Sequence, residues 1–280
     1  MNVKYIVSDY LLVWNLLYKD CITEEMKKLK EKVFKNYKNQ YNDIYEDKEL
    51  ILKDGKNFIP NNDTIYNIFF ESKDFIKIKK DAEKERINAL KLWDKNSKNI
   101  NKLIKKIIRK NISDYVCFVV NKEFDVREIY KISDKEGRIF VGKNWNNDNK
   151  ILVDILYQIM LNEITIEEKD NAHVKDAIIE MAVLNEFATE VSGDSCYRDG
   201  NSSLYYLKKQ IYPYWLMYLG ISKEDMVKYM ERDKIDFEVN GYAYEKELVN
   251  MNLEEFIDFV IRNKKYIIKI DRLTLSDEVI

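Results

Sequence analysis

The sequence is poor in glycine, proline and histidine, and each shortage excludes a class of protein. With 7 glycines and 2 prolines in 280 residues, the chain lacks the turns of a β-sandwich, the repeat of a collagen and the composition of a proline-rich disordered scaffold. The single histidine, His173, excludes HExxH zinc chemistry and every other site with several histidine ligands. We therefore expect helix to dominate.

Cysteines and long apolar runs are also scarce. Cys21, Cys117 and Cys196 are odd in number, far apart and without CxxC spacing, so neither a disulfide framework nor a cysteine zinc site is indicated. No run reaches the roughly 18 uninterrupted apolar residues that a membrane span needs. Asp9 interrupts the apolar N-terminus, and no small-residue cleavage site follows it. The sequence predicts a cytoplasmic protein without a membrane span.

Charges of both signs are abundant and nearly balanced. Lys and Arg together number 47 and Asp and Glu 49, which gives a formal net charge of -2. This balance argues against a dedicated nucleic-acid binder covered in positive charge, although it leaves local basic patches open. The 46% of hydrophobic residues suffice for the core of one large domain or two modest ones.

Helical spacing of apolar residues dominates the first part of the chain. It predicts two helices over 10–45 and a strongly helical stretch over 74–110, in which asparagine and serine at 96–99 cap a second piece. The segment 47–63 is rich in turn residues and predicts a surface loop.

Short β-branched and aromatic runs predict a small sheet in the middle of the chain. The runs at 115–120 and 138–141 predict two strands, and 124–129 supplies a third. A wide apolar face over 149–163 then predicts a nearly buried helix.

The last part of the chain returns to helix. The sequence predicts the following elements there: a helix over 172–191 ended by Gly193, an aromatic helix over 204–219 bent or restarted at Pro213, a helix capped by Ser222, a helix over 253–261 and a strand over 266–270. The predicted fold class is α+β, predominantly helical with a small central sheet. We expect an N-terminal part, 1–170, and a C-terminal part, 171–280, which also fit one compact domain.

One helix has the composition of a phosphate-binding surface. The stretch 95–110 has no acidic residue and sets its basic side chains opposite an apolar stripe. Its candidate nucleic-acid contacts are Lys98, Lys102, Lys105, Lys106 and Arg109. The alternative is a solvated outer face, or one neutralised by the acidic stretch 223–258. We favour this alternative because the helix has one arginine and no aromatic residue to read bases.

Other polar and aromatic residues allow chemistry without a recognisable motif. Glu180 and Glu186 on one helix suit acid–base catalysis by a hydrolase, and Cys196 with His173 suits a nucleophile and its base. The aromatic residues of 204–219 suit either a ligand groove or a buried core, and we favour the core.

The order of the central elements resembles the core of the gluzincins, a group of zincin-type metallopeptidases. The resemblance rests on the strand YVCFVV, the segment FDVRE, the strand RIFVG, the helix ILVDILYQIMLNEI and the later helix DAIIEMAVLNEFATE. It covers residues 98 to 190 by pattern rather than by identity. It implies a zincin-like two-lobed arrangement, in which the helix after the strand carries the zinc-binding motif.

Three of the four zinc-site slots that this resemblance implies hold the wrong type of residue. The two histidine slots fall on Asp154 and Gln158, the catalytic glutamate slot falls on Ile155, and the third ligand falls on Glu180 or Glu186. Isoleucine cannot act as a base, and this set does not rebuild a zinc site. We therefore expect no metal, no cofactor and no catalytic residue.

The expected function is binding of a peptide or protein by a degenerate peptidase scaffold. The residues expected to line its cleft are Asp154, Tyr157, Gln158, Glu180 and Glu186. The alternatives are a hydrolase that uses Glu180, Glu186 or Cys196, and nucleic-acid binding through the basic helix 95–110.

Overall fold

The computed structural model describes residues 1–19, 23–133, 136–142, 150–164, 171–196, 200–238 and 246–269. Over these ranges the protein is predominantly helical, with one small mixed sheet of four strands. The predicted α+β class is therefore confirmed, whereas the zincin-like two-lobed arrangement stays a prediction. No described helix is long and apolar enough to cross a membrane.

The chain divides into two compact units, and each takes its residues from two stretches of sequence. Unit 1 comprises Met1–Asp94 and Ser113–Gln158. Unit 2 comprises Lys95–Ile112 and Ile159–Ile280. The sequence suggested a single division near residue 170. The contacts group the stretch Lys95–Ile112 with the C-terminal residues.

Among the described elements, three strands follow one another in the middle of the chain, with helices before and after them and one further strand at Val3–Ile6. In order they are β1 (Val3–Ile6), α1 (Asp9–Tyr18), α2 (Glu24–Asn36), α3 (Lys38–Asp54), α4 (Thr64–Phe70), α5 (Lys73–Ile107), β2 (Asp114–Val119), β3 (Val126–Ser133), β4 (Glu136–Gly142), α6 (Lys150–Glu163), α7 (Ala172–Glu180), a π-helical segment (Met181–Phe187), α8 (Ala188–Ser192), α9 (Tyr205–Tyr218), α10 (Lys223–Asp233), α11 (Leu253–Arg262) and α12 (Lys264–Ile267).

The sheet of unit 1 has the strand order β1-β2-β4-β3. β1 runs parallel to β2 and β2 runs parallel to β4, while β3 pairs with β4 in the antiparallel direction. The three strands predicted for the middle of the chain are confirmed. Among the described strands, β1 and β3 form the two edges of the sheet.

Both faces of the sheet are buried. On one face, Phe118 and Phe140 join a hydrophobic cluster with residues of α1, α3 and α4. On the other face, Cys117 and Ile139 are fully buried, because successive residues of a strand point to opposite faces. This explains why the strands read as almost continuous apolar runs.

Helix ends follow the local signals in the sequence. The side chain of Ser222 accepts a hydrogen bond from the backbone N–H of Asp225 at the start of α10, as predicted for a capping residue. Gly193 ends α8 with a φ of 83°, a conformation that suits glycine. The helix α9 continues through Pro213 without a restart.

Three predictions about the N-terminal part need correction. The stretch 10–45 contains three helices rather than two, and α3 continues to Asp54, so that much of the predicted 47–63 loop is helical. Ile51 and Leu52 are fully buried, and burial of this apolar face outweighs the turn residues that surround it. The strand β1 was missed because its four residues, VKYI, merge with the apolar residues of α1.

Two further predictions were wrong. No cap divides the 35-residue helix α5, because Trp93, Ile100 and Ile104 continue its buried stripe and the polar residues at 96–99 cost little in a helix. The predicted strand 266–270 begins as the helix α12, which ends at Ile267, and residue 270 lies outside the described residues. Short apolar runs do not distinguish helix from strand.

We expect Gly142→Ala to destabilise the protein by about 1–3 kcal/mol through overpacking. A Cβ atom on Gly142 would lie 2.6 Å from the backbone oxygen of Asn121 and 2.6 Å from Cγ2 of Val120. Urea unfolding provides the measurement. The control is Gly193→Ala, where a Cβ atom meets nothing within 4 Å and only the backbone conformation is strained. Wild-type stability of Gly142→Ala would contradict the packing described at the end of β4.

Candidate functional site

The five residues of the predicted cleft belong to different units. Asp154, Tyr157 and Gln158 lie on α6 within unit 1, and Glu180 and Glu186 lie in unit 2. Asp154 and Tyr157 are half-buried and Gln158 is buried. Each group is described below within its own unit.

Glu180 forms a buried ion pair in unit 2. Its Oε2 atom lies 2.8 Å from Nζ of Lys208, and the two side chains are 6% and 2% exposed. Its Oε1 atom accepts a hydrogen bond of 2.9 Å from the backbone N–H of Asn201. Gly200 packs so closely that a Cβ atom there would lie 2.2 Å from Oε2. Both carboxylate oxygens therefore have partners.

Glu186 is bound by an arginine. Arg232 donates from its two terminal nitrogens to the two carboxylate oxygens of Glu186, at 2.8 and 3.1 Å. The same guanidinium donates to both oxygens of Asp233, and Asp233 also accepts from Tyr212 and Asn185. Burial lowers the pKa of Arg232, but its hydrogen bonds to Asp233 and Glu186 outweigh this and raise it above its usual range.

These two carboxylates stabilise the helix that carries them. Glu180 directly precedes the π-helical segment and Glu186 lies within it. Leu184 is also in this segment, and its carbonyl oxygen accepts from the backbone N–H of Cys196 at 2.7 Å. For Glu180 to act as a general base, it would have to break its ion pair and leave the buried Lys208 without this partner, which is costly. Glu186 would have to give up two hydrogen bonds from Arg232.

The nucleophile alternative involves Cys196 and His173, and both have partners of their own. The backbone N–H of Cys196 donates to the carbonyl oxygen of Leu184, and the residue is partly buried. The Nε2 atom of His173 lies 3.2 Å from Nζ of Lys264.

The basic helix presents one row of lysines to solvent, and its arginine turns inward. The exposed members of this row are Lys95, Lys98, Lys102, Lys105 and Lys106. Arg109 donates to four backbone carbonyl oxygens, those of Lys106, Tyr218, Val249 and Met251. Lys110 forms an ion pair with Glu254 at 2.9 Å. The guanidinium of Arg109, which was predicted to contact nucleic acid, is therefore bound to backbone oxygens of unit 2.

The aromatic helix α9 is mainly part of a core. Tyr212, Trp215 and Tyr218 have no exposed surface, and the rings of Trp215 and Tyr218 stack at 5.4 Å. The prediction of a buried role is confirmed for these residues. Tyr206, which is 45% exposed, is the exception.

A pocket of about 630 Å³ lies within unit 1, and no residue predicted to form a site contributes to it. Its lining combines aromatic, aliphatic and charged side chains from α1, α3 and β3. The lining residues are Trp14, Tyr45, Glu46, Lys48, Glu49, Leu50, Leu52 and Tyr130. We call it the α3–β3 pocket. Its volume falls in the range of sites that bind ligands.

Lys48 and Glu128 fix the charged side of the α3–β3 pocket. Nζ of Lys48 lies 2.7 Å from Glu128 and 4.7 Å from the ring centroid of Trp14, which it faces as a cation–π partner. A second ion pair joins Glu128 to Lys19 at 3.0 Å. Burial raises the pKa of Glu128, but the hydrogen bonds from Lys48 and Lys19 outweigh it and hold this pKa below its usual range.

The rim of the α3–β3 pocket is acidic and partly apolar. Glu46 and Glu49 are exposed and have no ion-pair partner among the described residues. Tyr45 is 62% exposed and Leu50 is 44% exposed. The pocket therefore offers ring faces and aliphatic surface for an apolar group, with two carboxylates for a cation beside it.

The sequence carried only an indirect signal for this pocket. The tyrosines and tryptophan of 10–45 recur at helical spacing, which is typical of a buried stripe. This series of aromatic residues continues to Tyr45, which is exposed and lies next to the exposed carboxylates of Glu46 and Glu49. Such exposure distinguishes a pocket from a core. The contribution of Tyr130 depends on the sheet order and was not visible in the sequence.

Metal ligation has no geometric support in the part of the chain that the structure describes. Within it, no three histidine, cysteine, aspartate or glutamate side chains come together closely enough to hold an ion.

We expect Lys208→Met to destabilise the protein by about 3–5 kcal/mol, because it leaves the buried carboxylate of Glu180 without its cation. The double variant Glu180→Gln, Lys208→Met removes the charge as well and should recover most of this loss. Urea unfolding at neutral pH measures both. The control is Lys209→Met on the same helix, with a change within about 0.5 kcal/mol. Equal stability of Lys208→Met and wild type would contradict the described ion pair.

We expect Glu128→Gln to reduce the free energy of unfolding by about 0.5–1 kcal/mol at pH 7, since this ion pair is partly exposed. The folded-state pKa of Glu128 lies below the unfolded value, which is about 4.3. Its contribution is thus present above that pH and is lost as the pH falls through the folded-state pKa. The difference from wild type should shrink at pH 3. The control Glu123→Gln changes an exposed glutamate in the same unit. If the difference in unfolding free energy between Glu128→Gln and wild type did not change with pH, the lowered pKa of Glu128 would be refuted.

Comparison with known proteins does not place the chain in a family. No protein-family model matches it, and no similar chain is found among curated proteins or solved structures.

Proposed function

We propose that the protein binds a peptide segment of a partner protein and catalyses no reaction, and that the α3–β3 pocket receives this segment. The observation that carries the proposal is the pocket itself. It has a volume of about 630 Å³, and aromatic rings line it beside exposed carboxylates. Recognition pockets for side chains have this character, with apolar walls and a few placed polar groups.

The lining indicates which peptide fits. Trp14, Tyr45 and Tyr130 offer flat apolar area that suits an aromatic or branched aliphatic side chain. Glu46 and Glu49 on the rim have no cationic partner among the described residues, so a lysine or arginine beside the apolar residue supplies the missing charge. Lys48 shares Glu128 with Lys19, so this group of three keeps one positive charge, which is fewer than the two negative charges of Glu46 and Glu49. The preferred segment is apolar in its centre and basic at its flanks.

The contacts in unit 2 favour binding over the alternatives from the sequence. The hydrolase alternative needs a free carboxylate, and Glu180 and Glu186 are both held by cations. The nucleic-acid alternative loses Arg109, whose guanidinium is bound to backbone oxygens. A row of lysines without an arginine or an aromatic residue is ordinary solvated surface.

Two expectations from the sequence belong to the same proposal. The first is that the scaffold is a degenerate relative of the gluzincins, on the order of its strands and helices. The second is a cytoplasmic setting, which the free thiol of Cys117 supports, because free thiols persist in reducing compartments.

Selection from a displayed library of random twelve-residue peptides tests the proposal. We expect the full chain to enrich peptides in which an aromatic or branched aliphatic residue is flanked by lysine or arginine. The consensus peptide, synthesised with a fluorophore, should bind wild type and lose at least tenfold in affinity to Leu50→Asp and to the double variant Glu46→Lys, Glu49→Lys. Fluorescence anisotropy gives the affinities.

Matched substitutions elsewhere serve as controls for these variants. Val227→Asp places the same charge on a 49% exposed apolar residue of unit 2, and Glu31→Lys reverses an exposed charge on α2 outside the pocket lining. Both should bind the peptide as wild type does. The proposal is wrong if no peptide is enriched, or if the enriched peptide binds the pocket variants with unchanged affinity.

A further inference from the structure

The outer edge of β3 is open for pairing within the described structure. β3 is eight residues long, from Val126 to Ser133, and pairs with β4 on one side only. Apart from its bonds with β4, no backbone hydrogen bond joins β3 to another of the described residues. In an antiparallel pair every second residue directs its N–H and C=O away from the partner strand, so this edge presents a row of free donors and acceptors.

The α3–β3 pocket adjoins this edge. Tyr130 belongs to β3 and also lines the pocket. Glu128 lies two residues earlier, on the same face of the strand, and its carboxylate binds Lys48 of α3. Tyr130 is therefore part of the pocket, and Glu128 holds its wall in place.

Proteins usually protect an edge strand from pairing, and β3 has part of this protection. Common devices are proline, a bulge, charged side chains, lysine above all, or an unpaired charge that points inward, and the sequence of β3 includes Arg127 and Lys131. β3 contains no proline, and its only register irregularity lies at its end, between Lys131 and Ser133. The inward charge of Glu128 is neutralised by two lysines. The stretch from Val126 to Lys131 is thus regular and able to pair.

We propose that the partner peptide binds in extended conformation as a fifth strand on the outer edge of β3, which rests on the function proposed above. Alternate side chains of such a strand lie on the pocket face of the sheet. The residue opposite Tyr130 comes within about 4.5–5.5 Å between Cβ atoms, which places its side chain at the mouth of the pocket. Main-chain hydrogen bonds then provide affinity, and the pocket provides selectivity.

The acidic rim decides which strand fits. Glu46 and Glu49 are exposed beside the pocket and have no cationic partner among the described residues, and flanking lysine or arginine residues of a peptide complement them. A second copy of this chain paired through β3 brings the same acidic side chains with it, and like charges at a seam are unfavourable. The occupant is therefore a basic, apolar-centred segment of another protein.

Backbone methylation of the selected consensus peptide tests the pairing. Two versions are synthesised, one with N-methyl groups on its odd residues and one with N-methyl groups on its even residues. N-methylation removes a hydrogen-bond donor and leaves the side chain in place. Since only one of the two sets faces β3, we expect one version to lose at least tenfold in affinity and the other to bind within about threefold of the parent peptide. Amide hydrogen exchange should also slow at alternate residues of β3 when the parent peptide binds.

The outcomes separate this inference from the proposed function. If both methylated versions keep the affinity of the parent peptide, or both lose it equally, strand addition is wrong, while the weakened binding of Leu50→Asp still supports the pocket. If the parent peptide binds Leu50→Asp as well as wild type, the proposed function itself fails. A concentration-dependent dimer in light scattering that the peptide dissociates would assign the edge to a second copy and also overturn the inference.

Discussion

The contact on which the candidate site most depends is the ion pair between Glu128 and Lys48. Glu128 belongs to the outer strand of the sheet and Lys48 to the middle of α3. Their bond joins two elements that are 80 residues apart in sequence, and the same ammonium group faces the ring of Trp14 on α1. The ion pair thus joins α3 to the edge strand beside the pocket that both elements line.

The two units use buried charge in different ways. In unit 2, Glu180 with Lys208 and Glu186 with Arg232 are satisfied pairs around a π-helical segment. Buried pairs of this kind add little net stability, but they penalise any arrangement that separates them. These two pairs therefore favour a single arrangement of the π-helical segment. In unit 1 the buried Arg138 donates to the backbone oxygen of Leu52, and Glu46 and Glu49 are exposed on α3.

Much of the fold was predictable from the sequence, and the reasons are local. Apolar periodicity predicted α6, α9 and α11, and β-branched runs predicted β2, β3 and β4. Ser222 and Gly193 predicted helix ends. The α3–β3 pocket was not predictable, because it depends on long-range pairing. No local pattern places Tyr130 beside Tyr45, or tells a neutralised carboxylate such as Glu186 from an unpaired one such as Glu49. Two of the corrected elements, β1 and α12, are short segments whose conformation tertiary contacts decide.

The interleaved composition of the two units has a consequence for biosynthesis. Unit 2 takes Lys95–Ile112 from the middle of the chain and the rest of its residues from beyond Gln158. When the ribosome has delivered all of unit 1, the apolar stripe of Ile100, Ile104 and Ile107 still lacks the C-terminal residues of its unit. This stripe stays uncovered for the time needed to translate some hundred further residues, at about 5–20 residues per second. The lysines on the opposite side of the same helix keep the nascent chain hydrated over that interval.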